Sequence, residues 1–321
     1  MQKPLALILA LLASAAIASA DPAGLFVAVG YGGRRLSSLD GQTWTSDQRW
    51  SDIVADDDNV LFNIAYGLNR FLAVGGGAKI GHILSTTDGQ TWTELPQWKG
   101  RVATIVFAEG GVHRFIAGHD AELLWSDDGV TFHSGKKLPY EGSVHARMSA
   151  CGDTEAGYMT AILGDVDLWS EKKRVSWRAS TTDGETWAAE ALNTPEVHGL
   201  AYGAGRFIVV GPHGLIETSH DGQSWSRVPV TTEENFSSVV WTNGEFIARG
   251  DKRWTSPDGL AWEADSQKLP GDLVFARDAI GGVSVSWGGN LFFSADLLAW
   301  KKAAIAAGPS LTAAAWGSAA K

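Results

Sequence analysis

Ser38-Leu39-Asp40-Gly41-Gln42-Thr43-Trp44 returns six more times along the chain. The next copies are Thr86-Thr87-Asp88-Gly89-Gln90-Thr91-Trp92 and Ser126-Asp127-Asp128-Gly129-Val130-Thr131-Phe132. Thr181-Thr182-Asp183-Gly184-Glu185-Thr186-Trp187 and Ser219-His220-Asp221-Gly222-Gln223-Ser224-Trp225 follow. The sixth is Ser256-Pro257-Asp258-Gly259-Leu260-Ala261-Trp262, and the last, Ser294-Ala295-Asp296-Leu297-Leu298-Ala299-Trp300, has lost its Gly. Successive Asp residues are 48, 40, 55, 38, 37 and 38 positions apart. Seven copies in residues 21–321 average about 43 residues each, near the length of a four-stranded propeller blade.

Each copy carries the chemistry of a hairpin turn. Gly supplies a positive φ, the Asp side chain accepts from nearby backbone amides, and Ser or Thr can bond the same turn. The aromatic residue is expected to pack between neighbouring sheets. Because the motif recurs whatever surrounds it, its Asp residues read as turn staples rather than catalytic or calcium-binding groups. Ahead of the turns lies a second pattern, Ile64-Ala65-Tyr66-Gly67 followed by Arg70-Phe71-Leu72-Ala73-Val74-Gly75, which predicts an inner strand, a tight turn and a second strand. Leu200 to Gly211 and Val239 to Ala248 repeat it. The ends are complementary. Leu25 to Gly30 matches a second strand with no first strand before it, and Leu311 to Gly317 matches a first strand with nothing after it. The prediction is an all-β, seven-bladed β-propeller of four-stranded blades, with a closing blade of three N-terminal strands and one C-terminal strand.

The 321 residues hold 26 Lys and Arg against 36 Asp and Glu, a net charge of −10. An acidic surface of that size argues against a nucleic-acid or anionic-membrane partner. Residues 1–20 read as a secretory signal peptide: Lys3 is basic, Leu5 to Ile17 apolar, and Ala18-Ser19-Ala20 a small-residue cleavage site. The apolar run is short for a membrane span, so no membrane insertion is expected. The mature protein, residues 21–321, is expected to be a single monomeric propeller, secreted or periplasmic. That compartment permits disulfides, but Cys151 is the only cysteine, and its apolar surroundings favour packing over catalysis.

The seven Ser/Thr-x-Asp-Gly-x-x-Trp strings resemble Asp-box repeats, also called bacterial neuraminidase repeats, over nearly all of residues 24–317. That family includes sialidases, xyloglucan-active glycosidases, photosystem-assembly factors and sorting receptors, so the resemblance implies a fold rather than a chemistry. Sialidases have six blades, an Arg-Ile-Pro motif before the first box, an arginine triad and a Tyr/Glu nucleophile pair. Here Gly32-Gly33-Arg34-Arg35-Leu36 precedes the first box, without that motif. The assembly factors present a basic patch, for which only Arg34-Arg35 and Lys172-Lys173-Arg174 are candidates. The resemblance also implies that the ligand face is the one opposite the Asp-box turns.

Comparing the seven copies with one another isolates the polar departures on that face. Loops after the second strand contribute Tyr31, His119 and Asp120, Asp165, His213, Asp251 and Trp287. Equivalent positions at the start of the first strand are read as Phe62, Ala103, His145, His198, Ser237, Val274 and Thr312. His119, Asp120, His145, Asp165, His198, His213 and Asp251 fall in blades 3 to 6. They read either as a convergent acid/base or metal site or as solvated loops, with His145 and His198 bonding backbone. No HExxH-type spacing supports a metal, and neither metal nor cofactor is expected. The segment from Leu168 to Trp177 predicts a protruding hairpin whose Trp169 and Trp177 either wall a groove or cover the blade. Asp56-Asp57-Asp58 reads as a solvated acidic turn.

Three functions follow from these residues. The first is a binding propeller for a glycan or an envelope protein, with His119, His213, Tyr31, Trp287, Trp169 and Trp177 as contacts. The second is a polysaccharide-active enzyme. A glycosidase would use two of Asp120, Asp165 and Asp251, and a lyase His145 or His198 as base, with Arg147 neutralising a uronate. The third is an assembly scaffold with a protein partner.

Overall fold

The computed structural model describes residues 24–318, apart from 54–55, 121, 139–141, 156, 169, 267–268, 270–274 and 279–280. The expected leader and its cleavage site, Trp169 and Val274 lie outside the described residues. Seven four-stranded antiparallel sheets form a ring. Blade 1 is the seam: the C-terminal strand Leu311–Ser318 lies inside Gly24–Gly30, followed outward by Arg35–Ser38 and Thr45–Gln48. The pairing runs from Gly24 opposite Ser318 to Gly30 opposite Leu311. Three strands from one end and one from the other therefore close the ring, as the complementary ends require.

The repeated sequence maps onto repeated local structure. In blade 2 the first strand, Leu61–Gly67, turns through Leu68 and Asn69 into Arg70–Gly76. Leu68 and Asn69 both take positive φ, 50° and 57°, the left-handed pair that matches strand twist in a two-residue hairpin. At the next turn, Asp40 Oδ1 accepts from the Gln42 and Thr43 amides at 2.8 and 2.6 Å, and Ser38 Oγ accepts from the Gly41 amide at 2.8 Å. Trp44 Nε1 donates to Gly41 O at 2.9 Å. Asp88, Asp128, Asp183, Asp221, Asp258 and Asp296 each accept two amides in the same way.

The turn glycine is also where one blade meets the one before it. A Cβ on Gly89 would lie 2.7 Å from Ser37 Cβ in blade 1, and one on Gly259 2.5 Å from Ile208 in blade 5. Core clusters sit between adjacent blades, with the turn aromatic packed on them. Trp92 covers a cluster joining Val27 and Val29 to Phe71 and Leu84, and Trp225 one joining Met159 and Leu163 to Phe207 and Val209. The turn motif thus fixes both the third hairpin of its own blade and the spacing to its neighbour.

The antiparallel order puts the first hairpins and the Asp turns at one end of every blade. Loops between second and third strands, and the connections between blades, gather at the other end, which forms the mouth. Blade 4 is the longest, with strands Gly142–Thr154, Gly157–Leu168 and Lys173–Thr181 raising a hairpin over the mouth. Among the described residues no helix is long and apolar enough to cross a membrane.

Candidate site at the mouth of the central channel

The mouth is built by bulges. First strands of four consecutive blades each carry one extra residue near the mouth: Thr312, Phe62, Ala103 and Arg147. A bulge re-aims a side chain that regular pleating would bury or alternate away. In blades 5 and 6 the His198 and Ser237 amides donate to Val210 O and Arg249 O just ahead of the regular pairing. Phe62, Arg147, His198, Ser237 and Thr312 all line one channel of about 510 Å³, within the ~300–1,000 Å³ range of small-ligand sites. This ring corrects one expected equivalence. In blade 4 the position matching Phe62 and Thr312 is Arg147, not His145, because the long first strand moves the bulge two residues further on.

His145 stands further out, between two carboxylates that it does not hydrogen-bond. Its Nδ1 is 3.9 Å from Asp120 and its Nε2 is 3.7 Å from Asp167. Nδ1 is buried without a hydrogen-bond partner. Burial, then the charges of Arg147 and Arg101, pull the imidazole pKa below its ordinary value, which favours the neutral ring. Arg147 pairs with Asp165 at 3.0 Å, and Arg174 grips Asp167 with two bonds of 2.7 and 3.0 Å. The Arg174 hydrogen bond holds the Asp167 carboxyl below the usual carboxylate range. Asp120, at φ 34°, accepts from the Arg101 amide at 3.2 Å. A smaller recess of about 170 Å³ between blades 4 and 5 joins Arg147, Asp165, Arg174 and Glu196 to the channel.

The other candidates divide. His198 donates from Nδ1 to Phe236 O at 2.9 Å, and its Nε2 lies 3.5 Å from Glu196, so it bonds backbone while lining the channel. His119 Nε2 is 2.8 Å from Lys99 O, a buried structural bond next to Trp98. His213, at φ 53°, and Asp251 are exposed on the rims of blades 5 and 6, and neither lines the channel. Tyr31 and Trp287, from the adjacent blades 1 and 7, meet edge to face with ring centroids 5.2 Å apart and planes at 82°.

Two sequence readings need correction. Trp177 is no groove wall: its side chain is fully buried in the cluster between blades 3 and 4, packs over Gly164, and donates to Asp165 O at 3.1 Å. The basic pairs do not form a patch. Arg34 and Arg35 are buried, while Lys173 and Arg174 are paired with Glu171 and Asp167. Cys151 donates to Phe107 O at 3.3 Å and receives the Tyr158 hydroxyl, and burial pushes its thiol up to about 11. Asp56 forms a turn with Asn59. Among the described residues no group of three or more His, Cys, Asp and Glu is placed to hold a metal ion.

Sequence comparison of the copies missed Arg101 and Asp167. Arg101 ends the connection into blade 3, its guanidinium 5.4 Å from the Phe62 ring and its charge acting on both Tyr31 and His145. It lies two residues before Ala103, so extending the comparison into the connecting loops would have found it. Asp167 lies two residues beyond Asp165 on the same strand and so on the same face.

Three solved structures similar in fold are each below 25% identical to this chain. YCF48 bound to a D1 peptide shares 18% identity with a TM-score of 0.54, over 83% of this chain and 84% of that one. Selenomethionine-substituted virginiamycin B lyase from Staphylococcus aureus shares 11% with a TM-score of 0.55, over 76% and 84%. Apo AztD from Citrobacter koseri shares 14% with a TM-score of 0.50, over 89% and 83%. No family model and no curated protein matches the chain. Identities this low establish the propeller fold and leave the chemistry to the residues at the mouth.

Proposed function

We propose that this chain is an exported Asp-box propeller that binds a glycan or an envelope protein at the mouth opposite its Asp turns. The observation that carries this reading is the state of the mouth carboxylates. Asp165 and Asp167 are tied to arginines and Asp120 to a backbone amide. A glycosidase needs a carboxylic acid poised to donate a proton, and Asp167 is biased the opposite way. The arginines, His198 and the hydroxyls of Ser237 and Thr312 instead form a preset recognition surface on a rigid ring. YCF48, similar in fold, is bound to a D1 peptide, which supports a polypeptide as one class of ligand. The signal-like residues 1–20 support export, and the secreted chain is expected to begin at Asp21.

A second reading, a polysaccharide lyase, draws on His145, a neutral ring with an unpaired Nδ1 beside Arg147. One experiment separates them. The purified protein is assayed for reducing-end release and unsaturated products on a polysaccharide panel, and for binding to the same panel and to envelope extracts. Binding without turnover, weakened in Arg147→Ala and His198→Ala, is the expected result. Unsaturated products that disappear in His145→Ala would establish the lyase instead.

A further inference from the structure

Tyr31-Gly32-Gly33 and Trp287-Gly288-Gly289 are the same turn in two adjacent blades. In each, an aromatic residue opens a single 3-10 turn and two glycines follow at φ between 63° and 77°. A Cβ on Gly32 would lie 2.3 Å from Ser51 O, and one on Gly289 2.6 Å from Gly308 O, so the glycine pairs hold both turns flat against the ring. Ser310 joins the turns: its carbonyl accepts from the Tyr31 amide at 2.9 Å and its hydroxyl from the Gly288 amide at 2.8 Å. Two residues on, Thr312 lines the channel. The aromatic pair is therefore a ledge on the lip of the channel, and Trp287 is 60% exposed on it.

In a seven-membered ring, the junction of blades 7 and 1 faces blade 4, with blades 3 and 5 on either side. Across from the ledge stand Arg147 and Asp165, with His198 beside them. Around the mouth, the guanidiniums of Arg147 and Arg174 pair with the carboxylates of Asp165 and Asp167, while the Arg101 guanidinium lies over the Phe62 ring and its backbone amide donates to Asp120. Three arginines thus stand beside three aspartates, two of each in direct pairs, and the His145 ring adds no charge in its neutral form. On the ledge side burial, and after it the charge of Asp57, raises the pKa of the Tyr31 hydroxyl. The whole chain carries −10. Nothing in this arrangement concentrates positive charge for an anion. What it offers is an exposed indole for an apolar ring face, and donors beside acceptors for groups that are both at once.

We propose that the mouth binds a neutral oligosaccharide, with one sugar ring stacked on Trp287 and hydroxyls facing Arg147, Asp165 and His198 across the channel. This rests on the reading of the mouth as a binding site and narrows its ligand. A uronate-bearing chain would bring its carboxylates against Asp57 and the paired acids. A hydroxyl-rich neutral chain satisfies both members of each Arg–Asp pair and leaves neither buried alone.

The test is affinity electrophoresis of the whole protein through gels containing neutral polysaccharides (xyloglucan, arabinan, mixed-linkage glucan) or acidic ones (polygalacturonate, alginate). Wild type, Trp287→Ala, Trp287→Tyr and Arg147→Ala are compared, with thermal unfolding as the control for folding. Retardation by a neutral polysaccharide, little changed by added salt, weakened about tenfold in Trp287→Ala and largely retained in Trp287→Tyr, is the expected result. Retention only by acidic polysaccharides, lost in salt and in Arg147→Ala, would overturn the proposal while leaving the mouth a binding site. Neutral retention unchanged in Trp287→Ala would overturn the ledge. Binding of an envelope protein alone, abolished in Arg147→Ala, would overturn the saccharide and keep the broader reading. Binding of nothing by wild type would remove both.

Discussion

Replacing Arg34 by Ala opens the ring at its seam. Arg34 follows the Tyr31 turn, and its side chain is fully buried. It holds Asp47 with two bonds of 3.0 and 2.9 Å, and donates to Pro309 O at 2.9 Å and Ala306 O at 2.7 Å. Those carbonyls belong to the segment that leads into the C-terminal strand, so one guanidinium ties both ends of the chain together. Removing one partner of a buried ion pair costs about 3–5 kcal/mol, because the other charge is left behind. Here Asp47 keeps 21% exposure, and Arg49 lies 3.9 Å away as a substitute, which places the loss nearer ~3 kcal/mol. With a urea slope of roughly 3 kcal/mol/M for a chain of this size, the midpoint falls by about 1 M. Hydrogen exchange should rise first in residues 306–318 and their partners at 24–30. Arg34→Met with Asp47→Leu, which removes both charges, should cost less than Arg34→Ala alone. A loss below about 0.5 kcal/mol for Arg34→Ala, or exchange that rises evenly around the ring, would refute the seam argument.

The degenerate last turn offers a second check. Leu297 takes φ 60° where the other copies have Gly, a strain of about 1–2 kcal/mol. Its side chain is 2% exposed, and burial stabilises by about 1.5–3 kcal/mol. Leu297→Gly should therefore destabilise by about 1 kcal/mol in urea unfolding, whereas Gly89→Ala, at φ 68° with Ser37 in the way, should cost more. Acid should loosen the turns together. Backbone amides lower the Asp128 carboxyl to about 2, below its unfolded value of about 3.8. That contribution is complete above the unfolded pKa and is lost as pH falls through the folded one. Asp128→Asn should accordingly be less stable at pH 7, with the difference from wild type shrinking as the pH falls below about 4. For His145, NMR titration should give a midpoint below about 6.5, and Arg147→Ala should raise it by removing a positive neighbour.

The mouth shows where reading along the chain stops working. Blade 4 has a 13-residue first strand, and counting from its start singles out His145, whereas the bulge that faces the channel is at Arg147. The sequence leaves Trp177 as either a groove wall or a cover on the blade, and offers Arg34 to a basic patch. Both are buried, since the preceding blade covers Trp177 and the returning C-terminal segment covers Arg34. Tyr31 and Trp287 are 256 positions apart in sequence, yet their rings touch once the ring is closed.

What the sequence by itself determined is the repeating part: seven turns, four strands to a blade, and a seam made from the two ends. The turns and strands rest on hydrogen bonds within a few residues and on strand alternation, chemistry written out in every copy, and the seam follows from the strand that each end lacks. Tertiary structure alone decided which polar departures share a site. Side chains at the mouth come from strands and connections of several blades, and their meeting depends on strand length, bulge position and the rotation from one blade to the next. No single copy of the repeat encodes those quantities.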